Sequence, residues 1–188
     1  SYLVSPMKKI TIITPTYNRA KTLPKVFESL LNQSFKDFLW IILDDGSTDN
    51  TEKVVENFQL LNPFFEIIYK KDKNRHKFLT VLEGVKMVKT PYFMVVDSDD
   101  IYPEDALETL ISEVEKIENQ DNYVAVMGLS ADENGKIVGN QYPNNGFDGS
   151  IFEMRYKYKV RGDKFGIFIT KTYQREISGK DFSHYEGK

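Results

Sequence analysis

An apolar run followed by an apolar stripe at helical spacing, repeated four times, is the feature that most limits what this chain can become. Ile10–Thr14 is a short β-branched run. Leu23, Val26, Phe27, Leu30 and Leu31 then recur at the spacing of one helix face, with Pro24 placed for a first turn. Phe38–Leu43 (FLWIIL) is a second run, and Val54, Val55, Phe58 and Leu61 form a second stripe, opened by Asp49 and Glu52 in the order of a capping box. Phe65–Tyr69 is the third run, followed by Phe78, Val81, Leu82, Val85 and Val88. Tyr92–Val96 is the fourth, followed from Pro103 by Leu107, Leu110, Ile111, Val114 and Ile117, and Tyr123–Met127 is a fifth run. Runs that are apolar throughout, rather than alternating, belong to strands covered on both faces. The pattern therefore predicts an α/β fold, a Rossmann-like and mainly parallel sheet with helices on both faces.

The pattern changes after Gly128. The stretch ADENGKIVGNQYPNNGFDGS is rich in Gly and Asn, which predicts loop or hairpin with a turn at Asn134-Gly135. MRYKYKV then alternates, Met154, Tyr156, Tyr158 and Val160 against Arg155, Lys157, Lys159 and Arg161, which predicts a strand with one basic face. Such a face is ordinary edge-strand protection or an anion-facing surface. Gly166–Thr170 is a further strand candidate, and the tail SGKDFSHYEGK carries no packed element. The expected organisation is a leader or disordered start over 1–9, with Met7 as the natural first residue, an α/β domain over 10–128, and a second region over 129–188.

Ligands of a parallel α/β sheet bind beyond the carboxyl ends of its strands. Four polar clusters stand there: PTYNR (Pro15–Arg19), DDGSTDNT (Asp44–Thr51), KKDKNRHK (Lys70–Lys77) and DSDD (Asp97–Asp100). Turn and cap chemistry explains Gly46, Ser47 and Asp49, a turn explains PTYNR, and solvation explains the lysine run. DSDD resists such explanation, because a buried strand drives straight into a group of mutually repelling carboxylates. Asp97 and Asp99, two apart, are hard oxygen donors of the type Mg²⁺ or Mn²⁺ takes alongside substrate phosphates.

Composition removes several classes. The 188 residues are 40% hydrophobic and 28% charged, enough for a core and too apolar for disorder. A net charge of −3 argues against a nucleic-acid binder. With no cysteine there is no disulfide, thiolate metal site or cysteine nucleophile. No apolar run reaches the roughly 20 residues of a membrane span, and SYLVSPMKK lacks the order of a signal peptide.

PTYNR after the first strand, DDGSTDNT after the second and YFMVVDSDD after the fourth, in that order and spacing, resemble the family 2 glycosyltransferases. These are inverting enzymes with the A-type nucleotide-diphospho-sugar transferase fold, and the resemblance runs from about Ile10 to Leu110. It implies a nucleotide-diphospho-sugar donor, usually a uridine one, a divalent Mn²⁺ or Mg²⁺, and a glycan or lipid-linked hydroxyl acceptor, in cell-surface polysaccharide synthesis. By position, Pro15, Thr16, Tyr17 and Asn18 match the nucleotide-lining segment, and Asp45 matches the acid that meets the base. Asp97, Ser98 and Asp99 match the D-x-D motif, Asp97 near the ribose and Asp99 on the metal, while Lys77 and Arg75 are candidates for the base or phosphates. The family's general base lies further along. Asp163, Asp181 and Glu186 are the acids available, none in a matching motif, so the resemblance implies a C-terminally truncated chain whose base lies beyond Lys188. Phe78, Leu79 and Glu83 stand where smaller or amide residues are common, which sets the donor-sugar contacts apart from the family pattern. The resemblance also implies a cytoplasmic setting, with peripheral contact at the inner face of the membrane open to the basic stretch at Arg155–Arg161.

A catalytically idle nucleotide-sugar-binding module is the alternative. A receiver domain would carry its acids after the first and third strands, an aspartate-nucleophile phosphatase would carry D-x-D after the first, and a dehydrogenase would carry the glycine fingerprint, and none of these is present.

Overall fold

The computed structural model describes residues 8–73, 76–132, 134–144, 146–162 and 164–182. Six strands alternate with five helices: β1 (Ile10–Thr16), α1 (Leu23–Leu31), β2 (Phe38–Asp44), α2 (Thr51–Leu61), β3 (Glu66–Lys71), α3 (Lys77–Met87), β4 (Tyr92–Val95), α4 (Ala106–Glu115), β5 (Ala125–Leu129), β6 (Lys164–Ile169) and α5 (Thr170–Ile177). The sheet order is β3-β2-β1-β4-β6-β5. β1 pairs in parallel with β2 and β4, and β2 with β3, while β6 runs antiparallel to β4. The mainly parallel α/β reading holds, and its central strands are fully buried because helices cover both faces.

Each face has its own core. On one, Phe27 of α1 and Phe58 of α2 stack with ring centroids 4.2 Å apart, and Phe27 also stacks on Trp40 of β2. The buried Trp40 indole N–H donates to Thr14 Oγ at 2.9 Å, so the large ring enters the core with its polar atom satisfied. On the other face Ile13, Ile41, Leu43, Val85, Val88 and Phe93 form one cluster, against which Phe168 and Tyr173 pack. Helix α3 comes so close to the sheet that a Cβ on Gly84 would stand 2.5 Å from Leu43 Cδ1 and 3.2 Å from Ile13 Cγ2.

The chain forms two compact units, residues 1–126 with 167–188, and residues 127–166. Among the described residues of the second unit, Val160 is the one buried apolar side chain. This unit is held by backbone and by a ring cluster, Phe147 stacking on Tyr142 at 6.3 Å and meeting Tyr158 edge-on at 5.1 Å. Asn140 N–H donates to Arg161 O at 3.0 Å, and a Cβ on Gly139 would stand 2.1 Å from that same oxygen. The Asn134-Gly135 turn forms as expected. Gly135 takes φ +77°, and Asp132 and Lys136 are joined by a backbone bond.

Four expectations need correction. The alternating stretch 154–160 is not a strand. Glu153–Lys157 is a short π-helical turn with no buried residue, and without a buried face the alternation of Tyr and Lys had no sheet to select it. The helix expected from Pro103 starts at Ala106, because Pro103 lends its carbonyl to the Ala106 N–H. Asp49 and Glu52 do not form a capping box. Asp49 precedes the N-cap Asn50 and accepts from Thr51, while Glu52 pairs with Lys71 at 3.2 Å. Leu61, expected on the inner face of α2, is 73% exposed. The expected leader falls largely on residues 1–7, outside the described residues, as do Arg75, Asp163 and Glu186.

Candidate functional site

A crevice of about 250 Å³ opens where β1, β2 and β4 end. Pro15, Thr16 and Tyr17 line it from the end of β1, Asp45 from β2, Lys77 from the start of α3, and Asp97, Ser98 and Asp99 from the turn after β4. The parallel registers Thr16↔Asp44 and Ile13↔Val95 bring these strand ends to one edge of the sheet. Eight of the nine residues singled out in the sequence thus meet in one place, and Arg19 joins them.

The ninth, Asn18, does not line the crevice but ties two of its walls together. Its Oδ1 accepts from Thr48 N–H at 2.7 Å and Asp49 N–H at 3.2 Å, and its own N–H donates to Ser47 Oγ at 2.8 Å. Its φ of +54° is a backbone region Asn tolerates better than most residues. Arg19 N–H to Thr51 Oγ (3.0 Å) and Ala20 N–H to Asp49 Oδ2 (3.2 Å) extend the latch. Burial works against the charge of Asp49. The bonds from the Thr51 hydroxyl, Thr51 N–H and Ala20 N–H outweigh it and hold the carboxyl below its usual range.

The two adjacent aspartates after β2 have separate tasks. Asp44, buried, accepts from Ser47 N–H at 2.7 Å and from the Tyr69 hydroxyl, so it builds the loop from inside. Burial, then the bond to Asp44 and its charge, push the Tyr69 phenol well above its ordinary value, keeping it a donor. Asp45 accepts from His76 N–H (3.2 Å) and Thr80 Oγ (3.1 Å) and faces the crevice. Tyr17 stands 46% exposed at its rim.

The turn after β4 is held from both sides. Asp100 N–H donates to Asp97 O at 3.1 Å. The chain just beyond is anchored to α1: Tyr102 N–H donates to Ser29 Oγ (2.8 Å), Gln33 Nε2 donates to Pro103 O (2.7 Å), and Gln33 Oε1 receives Leu107 N–H in the first turn of α4 (3.1 Å). Gln33 and Ser29 gave no sign of this in the sequence, since their partners lie some seventy residues away. Lys77 Nζ meets Asp97 Oδ2 at 2.7 Å. Both side chains are well exposed, so the pair adds little stability, on the order of 0–1 kcal/mol. Asp99 projects from the same turn into solvent, lining the crevice. Thr16 Oγ is buried with no hydrogen-bond partner. Asp181 is exposed.

Among the described residues, no group of three or more His, Asp or Glu gathers to hold a metal ion. Asp97 and Asp99 alone are a donor set that fits a hard divalent ion completing its shell with water and phosphate oxygens.

The poly(ribitol-phosphate) β-N-acetylglucosaminyltransferase TarP of Staphylococcus aureus (strain N315) is 33% identical over 186 residues, 93% of this chain and 51% of TarP. S. aureus TarS 1-349 in complex with UDP superposes with a TM-score of 0.64 at 20% identity, over 90% of this chain and 49% of that one. The mannosyltransferase PcManGT from Pyrobaculum calidifontis, in complex with GDP-Man and Mn²⁺, superposes with a TM-score of 0.63 at 16% identity, over 94% of this chain and 48% of that one. These two likenesses establish the A-type glycosyltransferase fold. The chain spans about half the length of the curated relatives it matches. The family model described as glycosyl transferase family 2 matches residues 11–180, and the chain belongs to that family.

Proposed function

We propose that the crevice binds a nucleotide-diphospho-sugar, a uridine one, with a divalent metal, and that the protein transfers the sugar with inversion to a hydroxyl of a glycan or lipid-linked acceptor in cell-surface polysaccharide synthesis. The observation that carries this reading is the convergence of Thr16, Asp45, Asp97 and Asp99 on one crevice from separate strand ends. That TarP is named a transferase acting on poly(ribitol-phosphate), and that TarS is seen with UDP, supports the donor and the setting.

In this reading Pro15 and Tyr17 flank the base, and Asp45, positioned by His76 N–H and Thr80, faces the base edge. The unpartnered Thr16 hydroxyl provides a further polar contact at the floor. Asp97 faces the ribose. Lys77, now paired with Asp97, is placed at the start of α3 to swing toward the phosphates. Asp99, with Asp97 beside it, would hold the Mn²⁺ or Mg²⁺, whose positive charge would offset the negative charge developing on the departing diphosphate. An acceptor hydroxyl, deprotonated by a general base, attacks the anomeric carbon from the face opposite the diphosphate.

Calorimetric titration of UDP with and without Mn²⁺, repeated on Asp99→Ala, tests this. Metal-dependent binding should appear and fall at least tenfold in Asp99→Ala. A folded protein that binds UDP under neither condition rules out the uridine donor.

A further inference from the structure

Around the π-helical turn of the second unit, Ile151, Phe152 and Tyr156 are 69%, 70% and 66% exposed, within six consecutive residues. Phe152 and Tyr156 are one helical turn apart and meet with ring centroids at 4.8 Å, so they form one aromatic ridge rather than two scattered rings. Water gains nothing from such a ridge, and monomeric surfaces rarely keep one without use. Arg155, Lys157 and Lys159, all exposed, stand around it, and Arg161 follows. Residues 151–161 hold four cations and one carboxylate in a chain whose net charge is −3. That carboxylate, Glu153, is turned to the local backbone, accepting from Ser150 N–H at 3.0 Å and Ser150 Oγ at 3.1 Å. The bonds from Ser150 lower its pKa and occupy it within its own turn. Lys157 Nζ lies over the Tyr158 ring at 4.9 Å, and Arg155 and Lys159 are exposed.

We propose that this segment, residues 151–159, is a docking surface for an anionic lipid bilayer. Phe152 and Ile151 enter the boundary between headgroups and acyl chains. Tyr156 sits at the headgroup level, where an apolar ring with a polar tip is at home. Arg155, Lys157 and Lys159 lay their stems along the ridge and carry their charges to lipid phosphates. Charge complementarity selects a bilayer with anionic lipid, and the aromatic ridge selects a bilayer over a soluble polyanion, which would have no place for apolar rings. The segment is short and lies on the surface rather than through it. Among the described residues no helix is long and apolar enough to cross a membrane.

The surface is independent of the nucleotide crevice, and the test keeps the two apart. The chain is sedimented with vesicles of phosphatidylcholine alone and of phosphatidylcholine with phosphatidylglycerol. Trp40, the one tryptophan, is fully buried, so a Phe152→Trp variant reports on the ridge. Binding is expected to the anionic vesicles only, to fall about fivefold for each of Arg155→Gln and Lys157→Gln, and to fall about tenfold in Phe152→Ser. UDP titration should be unchanged in all of them. The Phe152→Trp emission should shift to the blue with anionic vesicles and stay put with heparin. Absence of vesicle binding overturns the proposal, as does binding without a blue shift. Equal emission changes with a soluble polyanion or a soluble glycan overturn it in favour of that partner.

Discussion

At the scale of single residues, the crevice separates groups that face a ligand from groups that hold the frame. Thr16 and Asn18 are two residues apart and fall on opposite sides of that division. Thr16 Oγ is buried and bonds to nothing in the protein, so Thr16→Val should change the unfolding free energy by no more than about 0.5 kcal/mol. The same change should weaken UDP binding severalfold in titration. Asn18 is the reverse case. Asn18→Gly keeps the left-handed backbone and removes the side-chain acceptor, and should cost about 1–2 kcal/mol in chemical denaturation. Asn18→Ala should cost about 1 kcal/mol more, because alanine resists that φ. Both should weaken UDP binding indirectly. The sequence placed Asn18 among the ligand-lining residues because PTYNR is one continuous motif. Its true partners, Ser47, Thr48 and Asp49, are some thirty residues away, and nothing local in PTYNR reveals that distance. Asp44 and Asp45 looked alike for the same reason. What divides them is which side of the strand end each faces, and Tyr69 and Thr80 settle that only once the sheet is assembled.

At the scale of elements, helix α3 is fixed by one glycine. The three carbons of an isopropyl group at Gly84 would press on Leu43 and Ile13, so Gly84→Val should destabilise the protein by about 1–3 kcal/mol, measured by thermal or urea unfolding. An unchanged midpoint would mean that α3 can stand off the sheet. The first four strands and helices were readable because each signal was redundant. An unbroken apolar run must be buried on both faces, and a stripe at three- and four-residue spacing has one way to cover it. The signals failed where burial is weak. Glu153–Lys157 alternates in composition but buries nothing, so composition alone did not specify a strand. Helix α5 escaped notice because TKTYQREI buries only Thr170 and Thr172, and its place is set by contacts from elsewhere, such as Gln174 Nε2 donating to Val85 O and Val88 O.

At the scale of the molecule, the two units are built on different principles, and proteolysis should tell them apart. The first is held by aromatic stacks and aliphatic clusters under a sheet, and the second by paired backbone around Gly139 and Gly162 with the rings of Tyr142, Phe147 and Tyr158. Trypsin should therefore cut first at Arg155, Lys157 or Lys159, all exposed, before Lys25 in α1, Lys53 in α2 or Lys86 in α3. A first cut within those helices would contradict the assignment of the core. Hydrophobic patterning foretold the first unit, while in the second the Asn134-Gly135 turn was legible and the alternation at 154–160 misled, since no sheet face selects it. The latch between the first two loops reaches further than stability. Six hydrogen bonds between Asn18, Arg19 and Ala20 and the stretch Ser47, Thr48, Asp49 and Thr51 immobilise one corner of the crevice before any ligand arrives. Its conformational entropy has been surrendered during folding, so a nucleotide entering there has little left to freeze on that side. The entropy lost on binding should fall instead on the exposed Asp99 in the turn after β4, which makes that rim, and not the corner, the part of the crevice that adapts to what it holds.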